Sequence, residues 1–220
     1  MSRTIVFCDF DGTVTENDNI ISIMKKFAPD EWIGLKDAVL AQEISIQEGV
    51  GKMFSLLPSH LKQDIISYLE QSVQIRTGFQ EFLQFCSERD IPVYIVSGGM
   101  DFFVHPLLKE FDSISGIYCN QADFDRERIR IDWPHTCGDE CSGECGCCKP
   151  TIINQLSTEE DFKIVIGDSI TDLKAALAAD FVIARDFLAE KCEEHAIPHE
   201  TFDTFHDCAS ILSKLEGVGV

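Results

Sequence analysis

Asp9 and Asp11 stand two residues apart, after the apolar run Thr4-Ile5-Val6-Phe7-Cys8 and just before Gly12-Thr13. Carboxylates in such a place are drawn out of water, and a desolvated carboxylate needs a counter-charge. A divalent cation supplies one, and hard oxygen donors suit Mg²⁺. Three further groups offer related chemistry. Ser97-Gly98-Gly99 brings a hydroxyl and unhindered backbone amides, the donors that cradle phosphate oxygens. Lys149 precedes Pro150, a residue suited to a first helical turn, so the cation is fixed at a helix start. Gly167-Asp168-Ser169-Ile170-Thr171-Asp172 adds two acids after another apolar run. Taken singly, these are an acidic turn, a βα turn, a solvated lysine and a helix cap. Taken together, they are the inventory of phosphoryl transfer: a carboxylate nucleophile, a metal, a fixed cation and donors for equatorial oxygens.

Something must bring these groups to one place. Ile5-Val6-Phe7-Cys8, Val93-Tyr94-Ile95-Val96, Ile164-Val165-Ile166 and Phe181-Val182-Ile183-Ala184 are continuous, β-branched apolar runs. That pattern fits strands buried on both faces of a parallel sheet. Amphipathic segments near 78–90, 101–110, 149–156, 171–179 and 202–215 alternate with them, which predicts an α/β fold, a Rossmann-like doubly wound parallel sheet. Ligands in such sheets bind at the carboxyl ends of the strands, where Asp9, Ser97 and Asp168 fall. Residues 17–75 lack a strand pattern and read as helices punctuated at Pro29-Asp30, Ser45 and Pro58-Ser59. Ser45-Ile46-Gln47-Glu48 has the spacing of a capping box. The expected organisation is a core of residues 1–16 and 76–220 with a helical insertion at 17–75. A second insertion is expected at 117–148. There Gln121-Ala122-Asp123-Phe124 and Ile129-Arg130-Ile131-Asp132-Trp133 form a hairpin around Asp125-Arg126-Glu127-Arg128, and a cysteine-rich loop follows.

The chain of 220 residues holds 18 Lys+Arg against 38 Asp+Glu, a net charge of −20. Nucleic acids and anionic membranes need cationic patches, so neither is the expected partner. An anionic substrate must be met by local positive charge inside a repulsive overall field. No signal-peptide pattern or membrane-spanning apolar run is read. The expectation is a cytoplasmic protein, monomer or homodimer, acting on a small molecule, with its cysteines as thiols or metal ligands rather than a disulfide framework.

Asp9-Phe10-Asp11-Gly12-Thr13, Ser97, Lys149 and Gly167-Asp168…Asp172, in this order, resemble the four motifs of the haloacid dehalogenase-like phosphatases. The resemblance implies Asp9 as nucleophile and Asp11 as general acid and base. It implies phosphate binding by Ser97, Gly98 and Lys149. It also implies Mg²⁺ held by Asp9, the Asp11 carbonyl and Asp168, with Asp172 in support, and makes 17–75 a small C1-type cap. Asn17-Asp18-Asn19-Ile20-Ile21, Val96-Ser97-Gly98-Gly99-Met100-Asp101-Phe102-Phe103, Ile131-Asp132-Trp133-Pro134-His135 and Cys145-Gly146-Cys147-Cys148-Lys149-Pro150 resemble the methionine-salvage branch of that family in bacilli. That branch implies an enol phosphate substrate.

The residues themselves leave specificity open. A phosphoserine phosphatase needs an acid for the ammonium of its substrate and a cation for the carboxylate. Asp18 could serve as the acid, but residues 19–75 contain no arginine, leaving Lys52 as the substitute. Ile20, Met24, Met53 and Phe54 are either a pocket for a thioether tail or the core of the helical insertion. Cys137, Cys141, Cys145, Cys147 and Cys148 crowd into twelve residues downstream of His135. Their spacing admits a structural metal, a disulfide or redox-responsive loop, or plain thiols. If this loop were the functional site, the protein would be a non-catalytic metal sensor on a phosphatase scaffold.

Overall fold

The computed structural model describes residues 3–138 and 144–217. Its centre is a seven-stranded sheet of order β4-β3-β2-β1-β5-β6-β7. The strands are β1 (Thr4–Cys8), β2 (Val93–Met100), β3 (Gly116–Asp123), β4 (Arg130–Asp132), β5 (Phe162–Gly167), β6 (Phe181–Ala184) and β7 (His199–Thr201). All neighbours pair parallel except β3 and β4, which form an antiparallel hairpin. β1 lies in the middle and is buried almost throughout, as its unbroken apolar run requires. From β1 the chain builds outward to β2 and β3 on one side, then to β5, β6 and β7 on the other. The direction of winding therefore reverses at the β1–β5 pair, and the carboxyl ends of these two strands frame the crevice where doubly wound sheets bind ligands.

Helices α1 (Asn19–Phe27), α2 (Glu31–Leu40), α3 (Ile46–Ser55) and α4 (Lys62–Ser72) fill the stretch between β1 and the return to the sheet. Asp18 caps α1 by accepting from the Ile21 amide, and Ser45 caps α3 by accepting from Glu48 N–H at 3.1 Å. The expected reciprocal half of the Ser45 box is replaced: the Glu48 carboxylate pairs with Lys52 at 2.5 Å, one turn on. The two linkers to this helical segment run antiparallel, with Thr15 bridged to Ile75 and Glu16 N–H donating to Gln74 O at 3.0 Å. A single apolar cluster joins Ile23, Met24, Phe54, Ile65 and Leu69 of these helices to Phe102 and Phe103 beside the sheet.

The remaining helices are α5 (Phe79–Ser87), α6 (Asp101–Leu108), α7 (Lys149–Leu156), α8 (Leu173–Ala176), α9 (Asp186–Glu194) and α10 (Phe205–Gly217). Three expectations need correction. First, Ser97-Gly98-Gly99 do not follow a strand. β2 runs on to Met100, with its register to β3 broken between Val96 and Met100, because glycines without side chains let the strand bulge instead of ending. Second, residues 117–123 are not an insertion. β3 starts at Gly116 and pairs parallel to β2, and only its far end turns into the hairpin with β4. Third, α9 and β7 were not expected. Their charged residues hide the pattern, since β7 is a three-residue edge strand whose side chains face water.

Candidate active site

β1 delivers Asp9 to the crevice, with its amide still bonded to the Ile166 carbonyl of β5 at 2.9 Å. A turn at Phe10–Val14 follows, closed by Thr15 N–H to Phe10 O at 2.9 Å, with Gly12 at φ +85°. A side chain at Gly12 would be strained there, and its Cβ would lie 2.5 Å from Asp168 Oδ2. The absence of that Cβ lets the end of β5 approach the end of β1.

Lys149, at the start of α7, reaches into this gap and is 6% exposed. Its ammonium lies 2.7 Å from Asp9 Oδ1 and 2.5 Å from Asp172 Oδ1. Burial opposes the charge on Lys149, but Asp172 and Asp9 outweigh it and hold the ammonium above its usual range. Burial and the nearby Asp172 push Asp9 well above the ordinary carboxylate range, with Lys149 opposing. Asp172 is itself fully engaged. Its Oδ2 accepts from the Asp168 amide at 3.2 Å and from the Ser169 amide and hydroxyl at 3.1 and 3.2 Å.

Asp168 accepts from Thr13 Oγ1 at 2.7 Å. Burial and the Asp172 charge raise it to about 6. Oxygens of Asp9, Asp168 and Asp172 all lie within 4.8 Å of one another. This is a hard donor set with more negative charge than Lys149 balances, and it fits a small divalent cation. With both Asp172 oxygens already bonded to protein donors, Asp9 and Asp168 have the freer oxygens.

Asp11 points to the other side of the turn. Its Oδ1 accepts from Asn19 Nδ2 at 2.7 Å and from the Asn19 amide at 3.2 Å, and its Oδ2 accepts from Ser97 Oγ at 3.1 Å. Burial raises Asp11 to about 7, the Asp18 charge adds to the effect, and the bonds from Asn19 and Ser97 oppose it. The Ser97 hydroxyl also accepts from Gly99 N–H at 2.8 Å, and Asn120 Nδ2 holds the Gly98 carbonyl at 2.8 Å. Gly98 itself is exposed, and a Cβ there would meet nothing.

The structure thus brings Asp9, Asp11, Ser97, Gly98, Lys149, Asp168 and Asp172 to one crevice. Four contributors were assigned no role from sequence: Thr13 and Asn19, which stand inside quoted motif strings, and Arg76 and Asn120, which stand outside them. Only Thr13 and Asn19 carried a local signal, Thr13 two residues after Asp11 and Asn19 eight.

The specificity candidates are dispersed. Asp18 is an exposed helix cap, and Lys52 pairs with Glu48 on the solvent side of α3. Met24 and Phe54 are fully buried, Met53 nearly so, and Ile20 is half-buried. Phe54 packs edge-on against Phe102 with centroids 6.4 Å apart.

Cys137 and Cys145 are half-buried and Cys147 and Cys148 buried, whereas Cys141 lies outside the described residues. Thr151 Oγ1 donates to Cys148 Sγ at 3.1 Å, and Lys174 Nζ lies 3.5 Å from Cys145 Sγ. Burial raises Cys147 to about 12. Among the described residues, the acids at the sheet edge, and not the thiols, form a group that could share one ion.

A family model described as haloacid dehalogenase-like hydrolase matches residues 6–177. Over 214 residues the chain is 57% identical to the 2-hydroxy-3-keto-5-methylthiopentenyl-1-phosphate phosphatase of Geobacillus kaustophilus (strain HTA426), covering 97% of both chains. A protein of the same name from Bacillus velezensis (strain FZB42) is 51% identical over 220 residues, covering 100% of this chain and 93% of that one. Among solved structures, the phosphoserine phosphatase from T. onnurineus superposes with a TM-score of 0.71 at 15% identity, covering 96% of this chain and 94% of that one. At that identity the likeness is one of fold.

Proposed function

The chain belongs to the haloacid dehalogenase-like hydrolases, and from that premise we propose that it is the phosphatase hydrolysing 2-hydroxy-3-keto-5-methylthiopentenyl-1-phosphate in methionine salvage. The products are 1,2-dihydroxy-3-keto-5-methylthiopentene and inorganic phosphate. The observation that carries the substrate is the 57% identity, over 97% of both chains, to a protein of that name. The geometry at Asp9 supports the chemistry.

In this reading Asp9 attacks phosphorus and becomes an aspartyl-phosphate. The Lys149 ammonium, 2.7 Å from Asp9 Oδ1, offsets the charge that builds up as the phosphate approaches. The Ser97 hydroxyl turns from Asp11 to a phosphate oxygen, and the Gly98 amide donates to another. Asp11, raised to about 7, holds a proton that it gives to the leaving oxygen, and afterwards takes one from the water that cleaves the intermediate. Asp9 and Asp168 would hold Mg²⁺ with Asp172 behind them, and the ion supplies neutralisation of the acids and polarisation of the phosphoryl oxygens.

The helices between residues 17 and 75 act as a C1-type cap on the core of residues 1–16 and 76–220, excluding bulk water during turnover. The enzyme is further proposed to be cytoplasmic, a monomer or homodimer, and the net charge of −20 supports its binding neither nucleic acid nor an anionic membrane. No described helix is long and apolar enough to cross a membrane.

The test is phosphate release from the enol phosphate, made in place by the preceding enolase step, and from O-phospho-L-serine, each with and without Mg²⁺. Mg²⁺-dependent preference for the enol phosphate is expected. Preference for phosphoserine would keep the chemistry and overturn the substrate.

A further inference from the structure

Arg76 is the first residue after the helical segment, and its side chain does not point to solvent: it is 7% exposed. Its Nε donates to Thr13 O at 2.7 Å, and its Nη2 donates to Gly12 O at 2.8 Å and Thr15 O at 3.4 Å. Its Nη1 donates to Asp203 O at 3.4 Å. Its own amide donates to Val14 O at 2.7 Å. These partners are all main-chain carbonyls. Among the described residues no carboxylate touches it, and burying a guanidinium in that way is costly, so the arrangement calls for a reason beyond stability.

The reason lies in what the gripped carbonyls belong to. Gly12, Thr13 and Thr15 form the turn that leaves Asp9 and Asp11. Thr13 Oγ1 is the donor that fixes Asp168 Oδ1, at 2.7 Å. A continuous path therefore runs from the Arg76 fork through the Thr13 peptide and hydroxyl to the proposed metal-ligand carboxylate of Asp168, just past the end of β5. Arg76 also closes the antiparallel linker pair, next to the bridge between Thr15 and Ile75. The end of the helical segment and the catalytic turn share one side chain.

We propose that Arg76 is a positioning residue for the divalent-metal site: its fork sets the Gly12–Thr13 peptides so that Thr13 aims Asp168 at the ion. This rests on the phosphatase reading for the identity of the site. Lysine keeps the charge but not the planar fork, and reaches fewer of these carbonyls at once.

The test uses Arg76→Lys, Arg76→Gln, Thr13→Val and the Arg76→Lys/Thr13→Val pair in the full chain. The readouts are circular dichroism, Mg²⁺ binding by calorimetry without substrate, and steady-state kinetics at saturating Mg²⁺. Arg76→Lys is expected to fold and to bind Mg²⁺ about tenfold more weakly, the usual size of an outer-sphere effect on a metal site. KM for the phosphate ester stays within about twofold, since uniform substrate binding is not what is lost. Thr13→Val gives a similar loss, and the pair is clearly less than additive because both act through one path. Wild-type Mg²⁺ affinity in Arg76→Lys, or strict additivity in the pair, overturns the proposal. Loss of fold in both Arg76 variants also overturns it, because Arg76 would then serve only the framework. If Mg²⁺ affinity shifts as expected while no variant nor the wild type releases phosphate from the enol phosphate, the substrate reading fails and the positioning role stands.

Discussion

Asp9 and Asp11 are neighbours in sequence with opposite surroundings. Asp9 faces an ammonium and two acids, whereas Asp11 faces amide and hydroxyl donors. That division predicts different failures. Asp9→Asn keeps the shape and removes the proposed nucleophile, so phosphate release should fall by at least about a thousandfold with the melting temperature little changed. Turnover near wild type would rule out Asp9 as nucleophile. Asn19→Leu leaves Asp11 Oδ1 without its 2.7 Å donor. The expected result is a kcat lowered about tenfold with KM nearly unchanged, since proton transfer is disturbed and phosphate binding is not. An unchanged kcat would show that the Asn19 bond has no part in orienting Asp11. The acids, Ser97 and Lys149 were legible in sequence because each motif is a short local string. Thr13 bonding Asp168, 155 residues away, and Arg76 bonding Thr13, 63 residues away, were not. Such contacts exist only once the strands are adjacent.

At the scale of elements, the alternation of strands and helices was read correctly where strands are buried on both faces, and missed where they are short or exposed. β7 and the half-buried start of β3 at Gly116–Tyr118 lie outside that regime, whereas the hairpin end of β3 was expected and is found. The glycines of β2 carry meaning that a turn reading overlooks. A Cβ on Gly99 would lie 2.7 Å from Asp11 Oδ2 and 3.0 Å from the Phe103 ring. Gly99→Ala should therefore lower kcat more than stability, and kinetics beside a melting curve would separate the two. α10 offers a purely structural counterpart. Thr204 precedes it, and Asp207 Oδ2 accepts from the Thr204 amide and hydroxyl at 2.8 and 2.9 Å. Those bonds hold the Asp207 carboxyl below its ordinary value. A group depressed in the folded state stabilises above its unfolded pKa, and the contribution fades as pH falls through the folded one. Asp207→Ala should cost about 1 kcal/mol near neutral pH and less in acid, as measured by denaturant unfolding at both. Equal losses at both pH values would refute the assignment.

The whole molecule carries a charge of −20, yet its proposed substrate is an anion. Long-range repulsion slows encounter, and added salt screens it. kcat/KM should therefore rise by up to a few fold between low and moderate ionic strength at fixed Mg²⁺, opposite to a steered enzyme. A fall would show that the local field of the crevice dominates approach. The hairpin is a second global feature. Its tip grips the connection between α3 and α4 through Ser59 N–H to Glu127 O at 2.9 Å, Ile129 N–H to Leu57 O at 3.0 Å and Arg128 Nη1 to Leu56 O at 2.6 Å. Sequence reading found the hairpin and the helices separately, and nothing in either string announces that they meet.

The paired linkers at Thr15 and Ile75 have an evolutionary corollary. Because the chain leaves the sheet and returns to it at adjacent points, whatever lies between can lengthen, shrink or be exchanged without moving a strand. Lineages can then graft new selectivity onto an old reaction by replacing one contiguous stretch of gene. The apolar seam between Phe54 and Phe102 limits that freedom. A transplanted segment must bring its own greasy underside, or the host surface is left bare.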